Sequence, residues 1–295
     1  MPQQLNRDQV RSGGVLPPER RGNRIAAAVT VVLAALLSGS APQVASTEQA
    51  ETRAVPPMYR LMNLSGDQDR RIAAARDALV TSCMAAHGQS YVTATENVTD
   101  EEALAALRPF GLESLENLTT EPLPPEPAQD ERYVRALFGD PGQRVEARGG
   151  GLAMSLPANG CAADAEHHLL GNQRLRAVEL RLRIFEGERE AREQLDHDPA
   201  FVTANERWSR CVHRFGVEAR TPGELVNDLP ADTDLATDPA VRADVHCKRE
   251  TGYLDTAYAR LAVLQQDWLD AHADLVAEWL DLRQRQHTAA LGVLR

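Results

Sequence analysis

The residues best suited to chemistry in this 295-residue chain are four cysteines, Cys83, Cys161, Cys211 and Cys247, together with the histidines beside two of them. Two chemistries compete for these side chains. Cys211-Val212-His213 and His246-Cys247 supply two thiols and two imidazoles, a set that zinc accepts. On a helix, however, a Cys-x-His pair sends its side chains about 200° apart, so both cannot face one ion without unwinding. The competing chemistry is oxidation in pairs. An even number of cysteines behind an export signal points to two disulfides, with three connectivities open.

A faint internal repeat selects among the three. Leu79 to Gly88 reads L-V-T-S-C-M-A-A-H-G, and Trp208 to Gly216 reads W-S-R-C-V-H-R-F-G. Each cysteine stands on a helix five residues before a glycine stop. Each is followed by a cysteine near or within the next long helix, N-G-C-A-A-D-A-E at Cys161 and A-D-V-H-C-K-R-E at Cys247. The repeat therefore pairs Cys83 with Cys161 and Cys211 with Cys247. Chain entropy assigns each staple roughly 4 kcal/mol, comparable to much of a domain's net stability. That contribution matters because aromatic residues make up only 4% of the chain.

Other reactive constellations are weaker. Asp232, Asp234 and Asp238 suggest calcium, but Thr237 stands where an EF-hand loop needs glycine and Ala243 where it needs glutamate. Loop and cap duty is the expected role of these aspartates. Gly149 to Gly151 lacks the lysine and hydroxyl of a phosphate loop and reads as a turn. The adjacent His167 and His168 diverge on a helix. No G-x-S-x-G, H-E-x-x-H or C-x-x-C occurs. Trp208, Trp268 and Trp279 fall at helical spacing and read as core rather than ligand platforms. No catalytic, cofactor or metal site is expected, and the balance is against an enzyme. The alternative is a hydrolase with a dispersed site between two halves of the chain, which would converge Glu166, His167 or His213 with other polar groups.

The compartment follows from the first residues. Arg20, Arg21 and Arg24 precede the run Ile25 to Leu37, and small residues follow at Ser38 to Ala41. A basic segment, a 13-residue apolar run and a small-residue segment make a secretory signal peptide over 1–46. The run is shorter than the roughly 18 residues of a spanning helix. Cleavage is expected after Ala41 or Ser46, and an uncleaved N-terminal anchor is the alternative. Leu36 to Ser40 resembles a lipobox whose acylated cysteine has become Ser40, so there is no thiol to lipidate. Arg20-Arg21 lacks the hydrophobic follow-up of twin-arginine signals.

Residues 1–46 carry five arginines against Asp8 and Glu19, so the remainder is three charges more negative than the −11 of the whole chain. Phosphate backbones and anionic lipid heads would repel such a protein, which argues against nucleic-acid binding and against membrane insertion of the mature chain. Lys248 is its only lysine.

The elements that must carry the cysteines are helical. Residues 47–66, with Pro56-Pro57, read as a flexible tether. Asp67 to His87 repeats Ile72, Ala75, Leu79, Cys83 and Ala86 at steps of three and four, with Gly88 as the stop. A short helix is expected over 101–107, a proline-rich loop over Leu112 to Arg132, and a helical turn or two at Tyr133 to Phe138. Arg148 to Leu156 reads as the chain's one short β-strand or hairpin. Leu175, Val178, Leu182 and Phe185 mark the stripe of a further helix. Asp198-Pro199 opens a helix lined by Phe201, Ala204, Trp208, Cys211 and Phe215. Asp238-Pro239 opens another, expected to run unbroken to about Gln286. Its stripe of Leu254, Ala257, Leu261, Leu264, Trp268, Ala271, Leu275 and Leu282, interrupted by Glu278, forms a coiled-coil-like seam. The expected fold is all-α: a disulfide-stapled helical bundle over 67–295, in two pseudo-repeat halves, 67–170 and 171–295.

The cysteine framework resembles a family of uncharacterised secreted and lipoprotein-type proteins of high-GC Gram-positive bacteria. The matching residues are Cys83-Met84 with Gly88, Gly160-Cys161, Trp208 with Cys211, and Ala243-Asp244 with Cys247; Tyr133 to Gly139 is also similar. The chain departs at Val212, where the second motif usually has methionine, and at Ser40. The resemblance spans most of the mature chain and implies export, but no activity. The expected function is that of a non-catalytic extracytoplasmic interaction or binding protein of the cell envelope. Its partner would be an envelope protein or a second copy docking on the 254–282 stripe.

Overall fold

The computed structural model describes residues 55–63, 66–92, 109–115, 130–230 and 232–295. The signal segment 1–46, most of the tether, the helix expected over 101–107 and most of the proline-rich loop lie outside the described residues. Ten α-helices, one hairpin and a single 3-10 turn (Gly171–Gln173, between α4 and α5) occur among the described residues, in the order α1 (Pro57–Asn63), α2 (Gly66–Ala86), α3 (Glu131–Phe138), β1 (Arg144–Gly149), β2 (Leu152–Pro157), α4 (Cys161–Leu170), α5 (Arg174–Leu195), α6 (Pro199–His213), α7 (Pro222–Asp228), α8 (Pro239–Glu250), α9 (Tyr253–Ala271) and α10 (Ala273–Val293). The fold is predominantly α-helical, with a single antiparallel pair that runs from Arg144 opposite Pro157 to Gly149 opposite Leu152.

Helix boundaries follow local chemistry. Asp198 and Asp238 each accept two amide N–H groups in the first turns of α6 and α8, with proline next in line. Thr221 caps α7 through Glu224 N, and Asp130 caps α3 through Tyr133 N. Helix α2 stops at Gly88, whose φ of +69° suits glycine.

The largest core gathers Trp208, Phe201, Tyr253, Leu254 and Leu261 from α6 and α9 with Leu195 of α5. A second cluster, Leu180, Ile184, Trp279 and Leu282, joins α5 to α10, and a third, Ile72, Ala75, Leu169 and Ala290, brings α10 onto α2 and α4. The C-terminal helix thus packs against the first disulfide-bearing helices, and packing crosses the expected boundary at residue 170.

Four expectations are corrected. The segment taken as a tether contains α1, whose Met58 is fully buried and donates its N–H to Gln265 Oε1 at 3.0 Å; proline-rich composition hid a short apolar helix. The long C-terminal helix is three helices. It breaks at Gly252, which takes a left-handed φ of +61°, and at His272, whose Nδ1 approaches Trp268 O at 2.8 Å. The seam of Leu254, Ala257, Leu261, Trp268 and Leu282 is buried inside the chain, against α5 and α6, and Glu278 is no interruption but the bidentate partner of Arg176 at 2.7 Å. Of the stripe expected on α5, Leu182 is buried, Leu175 and Val178 are half-buried and Phe185 is exposed, and the helix also buries Ala177, Leu180, Ile184, Ala191 and Leu195. Small residues there let neighbouring backbones approach, a preference that a search for large apolar residues overlooks.

Candidate functional site

Both staples connect as the repeat indicates. Cys83 bonds Cys161 and Cys211 bonds Cys247, each with a Cα–Cα separation of 5.6 Å, and no cysteine is free. The first joins the end of α2 to the start of α4; the second joins the last turns of α6 and α8. The second consumes both thiols of the zinc alternative. Its histidines turn outward to carboxylates instead, His213 to Glu218 at 3.1 Å and His246 to Glu250 at 3.0 Å.

The same staple braces a polar core around the only lysine. Lys248 follows Cys247 directly, and its buried ammonium donates to Asp244 Oδ2 at 2.7 Å and to the carbonyl of Leu112 at 2.9 Å. Asp244 also accepts from Trp208 Nε1 at 3.0 Å. Burial pushes the Asp244 carboxyl up and the Lys248 amine down, each drawn back by the other's charge.

This pair holds one wall of a cleft. Segment 109–115 carries no helix of its own, and is fixed by Lys248 at Leu112 and by Arg192 Nη1 on the Pro109 carbonyl at 3.1 Å. Phe110 is buried between Phe201, Tyr253 and Tyr258, with ring centroids 6.0, 6.3 and 5.1 Å away. Gly111, at φ +77°, passes close enough that a Cβ would stand 3.5 Å from Lys248 Nζ. The segment faces the end of α5, α6 and α7 across a cavity of about 390 Å³, within the size range of small-molecule sites.

The lining is apolar at its floor, through Phe110, Leu195, Phe201 and Pro222, with polar groups at intervals. Two of those are unpartnered. Asn205 Oδ1 is buried and accepts no hydrogen bond. The Tyr253 hydroxyl, on a side chain only 2% exposed, has no hydrogen-bond partner among the described residues. Burial, with Asp244 and Asp196 adding to it, raises the Tyr253 pKa, so the hydroxyl stays protonated. Arg192 is spoken for at every nitrogen, by Glu188, the Tyr59 hydroxyl and Pro109 O. Among the described residues the cleft therefore offers no free cation, and Asp196 adds an exposed carboxylate to its lining.

The other residues weighed from sequence do not meet. Glu166 is tied to Arg174 at 2.6 Å, and His167 and His168 are exposed on α4. Asp234 closes its own loop onto Ala236 N and Thr237 Oγ1, and Gly151 N binds Glu186 Oε1. Trp208, Trp268 and Trp279 are all buried. Phe110, Asn205 and Tyr253 were not legible as site residues. The solitary Lys248, one residue after a cysteine, is the one sequence feature that leads to this site. No family model, curated protein or solved structure matches this chain.

Proposed function

We propose that this chain is an exported, non-catalytic binding protein of the bacterial cell envelope, of the cysteine-framework type it resembles, and that its binding element is the cleft bounded by segment 109–115, α6 and α7. The unpartnered pair in that cleft carries the reading. The buried acceptor at Asn205 incurs desolvation with no return inside the fold, and the protonated Tyr253 hydroxyl makes no hydrogen bond to the described residues. A ligand offering one donor and one acceptor beside an apolar face would satisfy both. The lack of a free cation and the presence of Asp196 favour an uncharged or cationic ligand over an anion.

A hydrolase is less well supported. It requires a nucleophile held by a base, and among the described residues the cleft lining contains no cysteine, serine or histidine. Its one hydroxyl besides Tyr253, that of Thr221, already accepts from Glu224 N.

Three isosteric probes test the reading: benzamide, benzamidine and benzoate, followed by ligand-observed NMR with the secreted protein. Benzamide and benzamidine should bind weakly, and benzoate at least tenfold more weakly still. Asn205→Leu and Val226→Trp, the latter filling the cleft, should abolish the signal. Preference for benzoate, or binding indifferent to both substitutions, would remove the cleft from consideration.

A further inference from the structure

The two sulfur bridges differ at one sulfur: Cys83, Cys211 and Cys247 sit in last helical turns, whereas Cys161 opens a helix. Cys161 is the first residue of the ten-residue helix α4, where unsatisfied amide groups and the helix dipole favour a thiolate. Its partner Cys83 is only half-buried. The exposed His87 follows four residues later, one helical turn along the same face. Both sulfurs and an imidazole nitrogen lie within 4.8 Å of one another, and the imidazole makes no hydrogen bond among the described residues.

The other bridge has none of these features. Cys211 and Cys247 are 3% and 0% exposed, and both occupy last helical turns, where carbonyl dipoles oppose a thiolate. Arg214 does reach Cys211 Sγ at 3.0 Å, but the same guanidinium nitrogen pairs with Glu250, whose carboxylate is 3.8 Å from that sulfur.

We infer that Cys83–Cys161 is a thiol–disulfide exchange site that accepts electrons from an external dithiol, a role separate from the cleft. One thiolate of the dithiol attacks Cys83 Sγ. The S–S bond breaks, and its electron pair leaves on Cys161 Sγ, where the start of α4 stabilises the charge. The His87 imidazole, within 4.8 Å of that sulfur, is placed to exchange a proton with it. The second thiol of the dithiol then attacks its own sulfur in the mixed disulfide and releases Cys83 as a thiolate. Two electrons have passed to the bridge, and the dithiol has become a disulfide. Attack at Cys83 is preferred because the better-stabilised thiolate leaves faster. Exchange removes the covalent link between α2 and α4, which stay packed through Ile72, Ala75 and Leu169, while Cys211–Cys247 continues to brace the cleft.

The experiment uses the oxidised, secreted chain with limiting dithiothreitol at pH 7, quenched with N-ethylmaleimide and mapped by peptide mass spectrometry. Cys83–Cys161 should open at least tenfold faster than Cys211–Cys247. With glutathione in place of the dithiol, the adduct should map to Cys83 and the alkylated thiol to Cys161. His87→Ala, at an exposed position, should slow the opening of this bridge several-fold and leave the other rate unchanged. Equal rates for the two bridges, a glutathione adduct on Cys161, or a His87→Ala rate equal to the unsubstituted chain would each overturn the inference.

Discussion

Lys248 Nζ stands 2.7 Å from Asp244 Oδ2 one turn back on α8, with both side chains essentially sealed from solvent. This is the chain's only lysine, and its third-party contact, the carbonyl of Leu112, lies 136 residues away in sequence. A same-helix ion pair thereby fixes a segment that has no regular structure of its own, and that segment forms a wall of the cleft.

Removing one member of the pair should be costly, because the other is left charged and buried. Lys248→Met is expected to lower the unfolding free energy by about 3–5 kcal/mol. The double substitution Asp244→Leu with Lys248→Met should recover most of that loss in urea unfolding. Hydrogen exchange at residues 109–115 should accelerate in both variants, because the anchor on Leu112 is gone from each. A loss under about 1 kcal/mol in the single variant, near the size of one ordinary hydrogen bond, would mean that the pair is not sealed as described.

A second expectation concerns Gly187, in the middle of α5, where the Trp268 ring lies directly on the backbone and a Cβ would overlap it. Glycine to alanine in a helix interior ordinarily stabilises by about 1 kcal/mol. Here Gly187→Ala should instead destabilise by roughly 1–3 kcal/mol through overpacking. It should also disturb the Trp268 Nε1 bond to Glu190, 2.9 Å long, with a shift in tryptophan emission as the optical readout. A more stable variant would contradict this packing.

How much of this was legible in the sequence depends on whether the signal was local. The caps at Asp198 and Asp238, the glycine stop at Gly88 and the hairpin all follow from interactions within a few residues. The disulfide pairing was legible because two copies of one helical motif carried it. The break at Gly252 was not, since one left-handed residue ends a helix without disturbing the apolar period on either side. The cleft was invisible for a different reason. Phe110, Asn205 and Tyr253 come from three separate elements, and nothing about each residue alone distinguishes it from core or surface.

Acid dependence should be traceable to Asp198. Its side chain caps α6 and pairs with Arg260 at 2.7 Å. The hydrogen bond from Arg260 and those from the helix amides hold its pKa below the ordinary aspartate value. A depressed folded pKa stabilises the fold fully above the unfolded value, near 4, and that contribution disappears as pH falls through the lower folded value. The stability difference between the unsubstituted chain and Asp198→Asn should therefore be flat from pH 8 to 5 and shrink below about pH 4. A difference that grows on acidification would have the wrong sign.

Beneath the cleft and the exchange site lies one requirement, that all four thiols are oxidised in the pairing that holds α2 to α4 and α6 to α8. The direct measurement is a non-reducing peptide map of the protein recovered from the culture medium of its native host, combined with N-terminal sequencing. The account predicts a mature N-terminus close to Pro42 or Thr47, with Cys83 linked to Cys161 and Cys211 linked to Cys247. Four thiols alkylated under denaturing conditions without prior reduction, or a map joining Cys83 or Cys161 to Cys211 or Cys247, would contradict it.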